Sequence, residues 1–231
     1  MKYVVFSDVH GNAYAFDAMM KKISNEETEG YLFCGDLTGH YYDSIKIYET
    51  IKRLPNFYAV RGNHDELYLN VMSCREKQNT AINKFGSSYM QTDKVVEKYL
   101  MSLPVTLTAT IGNYRISMVH GSLDAPLDGR IYPDTPIEHM QLTSDFLFVG
   151  HTHYQMNRRH SGGCKIINPG SLGQPRDGKG FSFCIADFST GEISWDCVNF
   201  DLSDLLSDIN KRDSEKPYLS KVLLRNRGAL S

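Results

Sequence analysis

The chain has 231 residues, enough to bury one sizeable core, and its 41% hydrophobic and 11% aromatic content fits a globular domain. A net charge of −2 argues against a protein that tracks along nucleic acid, because such binding draws on clustered Lys and Arg to displace counterions. No apolar run approaches the ~18 residues that a membrane span requires, so no membrane partner is expected.

The chain opens on Met1-Lys2 and passes directly into a strand over 3–6, which leaves no room for a cleavable signal. Its five cysteines are widely spaced and form no C-x-x-C pair, the pattern of reduced thiols in the cytoplasm. Phe16, Met19, Met20 and Ile23 at helical spacing predict a helix over 13–23. The unit repeats: a strand over 31–33, then a helix over 44–54 striped with Ile45, Ile47, Tyr48, Ile51 and Leu54 and stopped by Pro55, then a strand over 57–60. Strands alternating with helices predict a largely parallel sheet, with functional residues gathered at the carboxyl ends of its strands.

Residues 66–103 are polar and strand-poor, with a helix over 94–103 and a break at Gly86-Ser87-Ser88. They read either as connecting helices on the rim or as a helical lid over the site. From 105 onward strands dominate. A hairpin over 105–111 and 114–119 turns at Gly112-Asn113, and strands follow over 146–149, 165–167, 181–187 and 192–199. A second sheet is therefore expected from the C-terminal half, facing the first, with helices outside. Residues 1–199 form the expected domain. A tail over 200–231 carries two short apolar helical stripes, and its Lys and Arg residues read as a solvated face.

Each parallel-type strand ends in a polar cluster: Ser7-Asp8-Val9-His10-Gly11-Asn12, Cys34-Gly35-Asp36, Arg61-Gly62-Asn63-His64-Asp65, Val119-His120-Gly121 and Gly150-His151-Thr152-His153. Asn63 offers a neutral oxygen to a divalent ion, and His64 beside it is free for proton chemistry near neutral pH. Gly62 is expected to let the backbone turn tightly there. Cys34 reads as a buried strand-end thiol and not as a ligand.

This order of motifs, D-x-H, G-D, G-N-H-D, H-G and G-H-x-H, resembles the calcineurin-like metallophosphoesterase superfamily, within it the small, bacterial-type group, from residue 3 to about 199. The resemblance implies a four-layered α/β/β/α sandwich of two mixed sheets flanked by helices. It also implies two metals, one held by Asp8, His10 and His153, the other by Asn63, His120 and His151, with Asp36 as the bridge. A carboxylate is a suitable bridge for two divalent ions about 3.5–4 Å apart, and the hydroxide between them would be the nucleophile. Imidazoles, carboxylates and an amide without a thiolate favour Mn, Fe, Ni or Zn over Mg or Ca, and Mn is the favoured choice.

His64 matches the histidine that lies beside the metals and protonates the departing oxygen. In the Ser/Thr protein phosphatase branch a carboxylate three residues after the bridging aspartate pairs with that histidine. Here the position is Gly39, with Asp65 and Asp43 as the candidate substitutes. Arg61 matches a phosphate-binding arginine of that branch. Asn12 is a second candidate for substrate contact, and Arg176, after the closing motif Asn168-Pro169-Gly170-Ser171, is a third. Of the remaining histidines, His40 reads as an exposed loop residue near the pocket, and His139 and His160 as surface residues.

The expected activity is therefore metal-dependent hydrolysis of a small phosphorylated substrate, a phosphomonoester or small phosphodiester. A dinucleoside polyphosphate hydrolase and a protein phosphatase are the alternatives within the superfamily, and the glycine at 39 counts against both. A non-catalytic interaction module is the alternative outside it, against which the intact ligand set argues.

Overall fold

A computed structural model of the chain describes residues 1–90 and 93–225. Residues 91–92 of the 66–103 segment and 226–231 of the tail lie outside the described residues. Two mixed five-stranded sheets pack face to face and are flanked by helices.

The first sheet is seeded by β1 (Lys2–Phe6), β2 (Gly30–Phe33) and β3 (Phe57–Ala59), which run parallel. Their connections are α1 (Ala13–Lys22) and α2 (Ser44–Ile51), as the alternating pattern predicts. α1 starts at Asn12, whose Oδ1 accepts the Ala15 N–H at 3.1 Å, and it buries Ala15, Phe16 and Met19. The next described elements are helices: α3 (Asn63–Met72), α4 (Arg75–Phe85) and α5 (Lys94–Ser102). α4 stops at Gly86, whose φ of +102° suits a residue without Cβ. α5 is capped by Asp93, which accepts the N–H groups of Val95 and Val96.

The second sheet has the order β4 (Thr106–Ile111), β5 (Tyr114–Val119), β6 (Phe146–Phe148), β8 (Lys165–Pro169) and β7 (Gln155–Arg159). Here β5, β6 and β8 are mutually parallel. The C-terminal half does not stay in this sheet. β9 (Phe181–Asp187) and β10 (Glu192–Val198) form a hairpin that returns to the first sheet, β9 pairing antiparallel with β1. β7 was not expected from the sequence, because Gln155, Asn157, Arg158 and Arg159 leave it without an apolar stripe.

Three apolar layers result. Tyr3, Val5, Leu32 and Val60 meet Ile116, Met118, Phe146 and Phe148 between the sheets. Outside the first sheet, Val4, Phe6 and Phe33 meet residues of the helices. This layer includes α6 (Ser203–Asp213) and α7 (Pro217–Leu224), which contribute Leu205, Ile209, Leu219 and Leu223. Outside the second sheet, Ile131 and Ile137 from the irregular segment between β5 and β6 cover Leu147, Val149 and Ile166. No helix among the described residues is long and apolar enough to cross a membrane.

Candidate metal centre

Five parallel strands, β1, β2, β3, β5 and β6, end at one edge of the two-sheet core, and each is followed by the motif residues noted above. The loops after β1 and β2 are locked together. Asp8 N–H donates to Gly35 O, His10 N–H to Asp36 O and Gly11 N–H to Leu37 O, at 2.8 to 3.0 Å. Asp8, His10, Asp36, His151 and His153 all adopt a left-handed backbone, with φ between 51° and 64°. Among the described residues only Asn56 joins them as a non-glycine residue with positive φ. Each such residue costs about 1–3 kcal/mol, so this strain is concentrated where side chains must converge.

The side chains meet in two groups. His153 Nε2 lies 3.1 Å from Asp8 Oδ1 and 3.2 Å from His10 Nε2. His120 Nε2 and His151 Nδ1 lie 3.0 and 2.9 Å from Asn63 Oδ1. Asp36 Oδ2 stands between the groups, 3.7 Å from His10 Nε2 and 3.3 Å from His120 Nε2. Asp8, His10, Asp36 and His120 are fully buried or nearly so.

These atoms are arranged for a cation. His10, His120 and His153 each use Nδ1–H to donate to a backbone carbonyl, of Thr38, Cys34 and Gln174 respectively, at 3.0, 2.7 and 2.6 Å. A carbonyl can only accept, so in the neutral rings Nε2 carries the lone pair, and it points into the cluster. Two such lone pairs, on His10 and His153, therefore face each other at 3.2 Å. The carboxylates follow the same plan. Asp8 Oδ2 accepts the His151 N–H and Asp36 Oδ1 the His64 N–H, leaving Asp8 Oδ1 and Asp36 Oδ2 buried without a hydrogen-bond partner. Burial works against charge on both groups, yet the Asp36 carboxylate raises His120 to about 10 and His120 holds Asp36 well below the usual carboxylate range. The donor set of imidazole nitrogen, carboxylate and amide oxygen suits divalent metal ions.

A model of the calcineurin-like phosphoesterase superfamily domain matches residues 1–191. The chain belongs to this superfamily. Membership implies a hydrolase of phosphoester bonds that works with divalent metal ions. An uncharacterised protein of Methanocaldococcus jannaschii is 29% identical over 228 residues, covering 90% of this chain and 91% of its own. The crystal structure of a metallophosphoesterase from Sphaerobacter thermophilus superposes with a TM-score of 0.80 at 25% identity, covering 98% of this chain and 99% of that one. A hypothetical protein of Pyrococcus horikoshii shares the fold, with a TM-score of 0.82 at 21% identity and coverage of 96% and 97%.

The superfamily chain departs from the sequence expectations around His64. Its ring is buried, and Nδ1 lies 2.5 Å from Tyr89 Oη, so the partner of His64 is neither Asp65 nor Asp43. Asp65 is instead a buried clamp. It accepts the N–H groups of Asp36, Thr38 and Gly62 at 2.9 to 3.1 Å, as well as the Thr38 hydroxyl. Burial and the nearby Asp36 push its carboxyl up to about 7. After the turn at Arg61-Gly62, α3 begins at Asn63. Gly62 has an ordinary φ of −95°. It is needed because a Cβ there would lie 2.1 Å from Asp36 Oδ1.

His40 is also a correction, because it is 3% exposed and its ring lies 4.6 Å from that of His10. The aromatic run His40-Tyr41-Tyr42 was the available signal for burial. His139 is exposed and His160 half-buried. Cys34 is buried at the strand end, as expected. The three substrate candidates are dispersed. Asn12 spends its amide on the α1 cap and on Gly173 O, Arg61 Nε pairs with Glu66 at 3.1 Å, and Arg176 is exposed, with Nη2 on Gln174 Oε1.

Proposed function

We propose that the protein hydrolyses a phosphomonoester or a small phosphodiester with two divalent transition-metal ions, Mn foremost among Mn, Fe, Ni and Zn. In this reading Asp8, His10 and His153 would hold one ion, Asn63, His120 and His151 would hold the other, and Asp36 would be shared between them. The observation that carries it is the convergence of two ligand groups on one carboxylate oxygen that has no other partner. When bound, such a pair of ions supplies a hydroxide nucleophile and neutralises phosphate charge.

The chain's own residues supply the rest. The backbone N–H of His64 holds Asp36 Oδ1, so the residue that positions the bridge also places its ring beside the site. Burial lowers His64 to about 4, and before substrate binds the ring is neutral. A neutral imidazole can still donate one N–H. Tyr89 contacts Nδ1, and if its hydroxyl donates there, Nε2 carries that hydrogen. The negative charge of a bound phosphate then raises the ring's basicity and prepares it to protonate the departing oxygen.

Gly39 removes one support for the protein phosphatase alternative. A Cβ at that position would lie 2.6 Å from His10 Nδ1 and 3.2 Å from His64 Nδ1, leaving no room for a carboxylate side chain. The intact ligand set likewise argues against a non-catalytic module. The test is to assay bound metal and hydrolysis of a panel of phosphomonoesters, phosphodiesters and nucleotides. Stoichiometric metal with turnover of at least one class supports the reading, and metal-free protein inert toward all of them refutes it.

A further inference from the structure

His40 joins the ligand cluster to a second cavity. Its ring lies 4.6 Å from His10 and 4.8 Å from His64, and also 5.9 Å from Phe85 and 6.0 Å from Tyr218. Although 3% exposed, it has no hydrogen-bond partner on either ring nitrogen. A buried imidazole without partners is an incomplete polar site. The cavity that it lines has a volume of about 510 Å³, which is within the usual range for small-molecule sites.

Two kinds of group surround this space. Phe85, Tyr154 and Tyr218 supply aromatic rings, and Lys84, Arg176 and Arg225 supply positive charge. None of these three cations is in an ion pair among the described residues. Lys84 Nζ sits 4.9 Å over the Phe85 ring and Arg176 donates to the Gln174 amide oxygen. In a chain of net charge −2, three uncompensated cations around one aromatic cavity fit an anion that carries a flat ring. The location assigns the role. Phe85 also packs 4.9 Å from the His64 ring, so a wall residue of the cavity touches the residue proposed to protonate the departing oxygen.

We propose that this cavity binds the leaving group and that the leaving group is a nucleotide, its base against the rings and its own phosphate against the cations. Which side of the scissile bond enters the cavity rests on the phosphoesterase reading above. The bond broken is the ester P–O bond to a nucleotide hydroxyl. The oxygen of water joins the phosphorus, and the hydroxyl oxygen keeps the bonding electron pair and takes up one proton. A base stacked on an aromatic face and a phosphate held by charged donors each contribute to binding, so neither half alone reproduces the whole.

The test is calorimetric titration of the full chain, as purified, with adenosine 5′-monophosphate, adenosine, ribose 5-phosphate and inorganic phosphate, the nucleotide being checked intact afterwards. The nucleotide should bind at least about tenfold more tightly than adenosine or ribose 5-phosphate. In Lys84→Gln and in Arg225→Gln the ratio of nucleotide affinity to inorganic phosphate affinity should fall by about tenfold. Adenosine or ribose 5-phosphate binding as tightly as the nucleotide would overturn the proposal. So would a ratio unchanged in both variants, or no saturable nucleotide binding. Nucleotide binding of the expected kind in a protein that hydrolyses no phosphoester would uphold the cavity and refute the proposed function. Hydrolysis without nucleotide binding would do the reverse.

Discussion

Tyr89 Oη lies 2.5 Å from His64 Nδ1, and the two residues come from helical segments 25 positions apart. The tyrosine approaches the imidazole nitrogen that Gly39 also adjoins, so a phenol from a distant segment meets the ring where a carboxylate after Asp36 has no space. The contact is buried, and its own support is distant again. Ser88 donates to Gly39 O, and Ser87 donates its N–H and hydroxyl to the Asp213 carboxylate of α6. Tyr89→Phe should keep both metals, measured by elemental analysis, and reduce turnover of an alkyl phosphate about 10- to 100-fold. The loss on nitrophenyl phosphate should be smaller. Equal losses on the two substrates would show that Tyr89 does not act through proton donation by His64.

His64→Asn tests the same step at its centre. Nitrophenolate leaves without protonation, whereas an alkoxide does not. The variant should retain both metals and lose of order 10² to 10⁴ in rate on the alkyl phosphate, with a smaller loss on the nitrophenyl ester. Loss of a metal would instead make His64 a ligand.

Asp36→Asn should empty both positions. It replaces the charged oxygen that stands 3.7 and 3.3 Å from the two groups, while an amide oxygen still accepts the His64 N–H. Metal content measured alongside circular dichroism separates this outcome from unfolding. Two metals bound at wild-type affinity would rule out the bridge.

Chelation should abolish hydrolysis, and Mn should restore it better than Mg, as imidazole-rich sites favour the transition metal. The metal-free protein has a further signature. Asp36 raises His120 to about 10, so near pH 7 this ring holds a proton that a metal must displace. Affinity for metal should therefore increase with pH up to that value, and calorimetry in buffers of different ionisation enthalpy should show proton release. Binding without proton release at pH 7 would contradict the assignment.

Asp213→Ala tests whether α6 supports the site. Its carboxylate accepts from Ser87 and, at 2.8 Å, from the Tyr42 hydroxyl, and the residue is 8% exposed. Removing it strands these donors. Denaturant titration should show a loss of about 1–3 kcal/mol, accompanied by the rate loss of the Tyr89 variant if the support reaches the ring. Unchanged stability would show that water replaces the carboxylate without penalty.

What the sequence by itself determined was the superfamily and the strands that carry the candidate ligands. Metal ligation demands particular side chains, and the backbone geometry at a strand end places Asp8 and His10, or His151 and His153, two residues apart, so the chemistry is written in adjacent letters. The buried strands are equally local, because apolar runs such as those of β1 and β2 report burial directly. Tertiary structure alone decided the rest. β7 carries no apolar stripe, and the β9–β10 hairpin joins the first sheet because β1 offers it a free edge, a choice made between segments far apart in the chain. The Tyr89–His64 contact, the burial of His40 and the cavity formed by α4, α7 and the segment after β8 also join residues tens of positions apart. A tyrosine or lysine in a polar helix has the same local pattern whether it faces water or a buried histidine, and only the packed chain distinguishes the two.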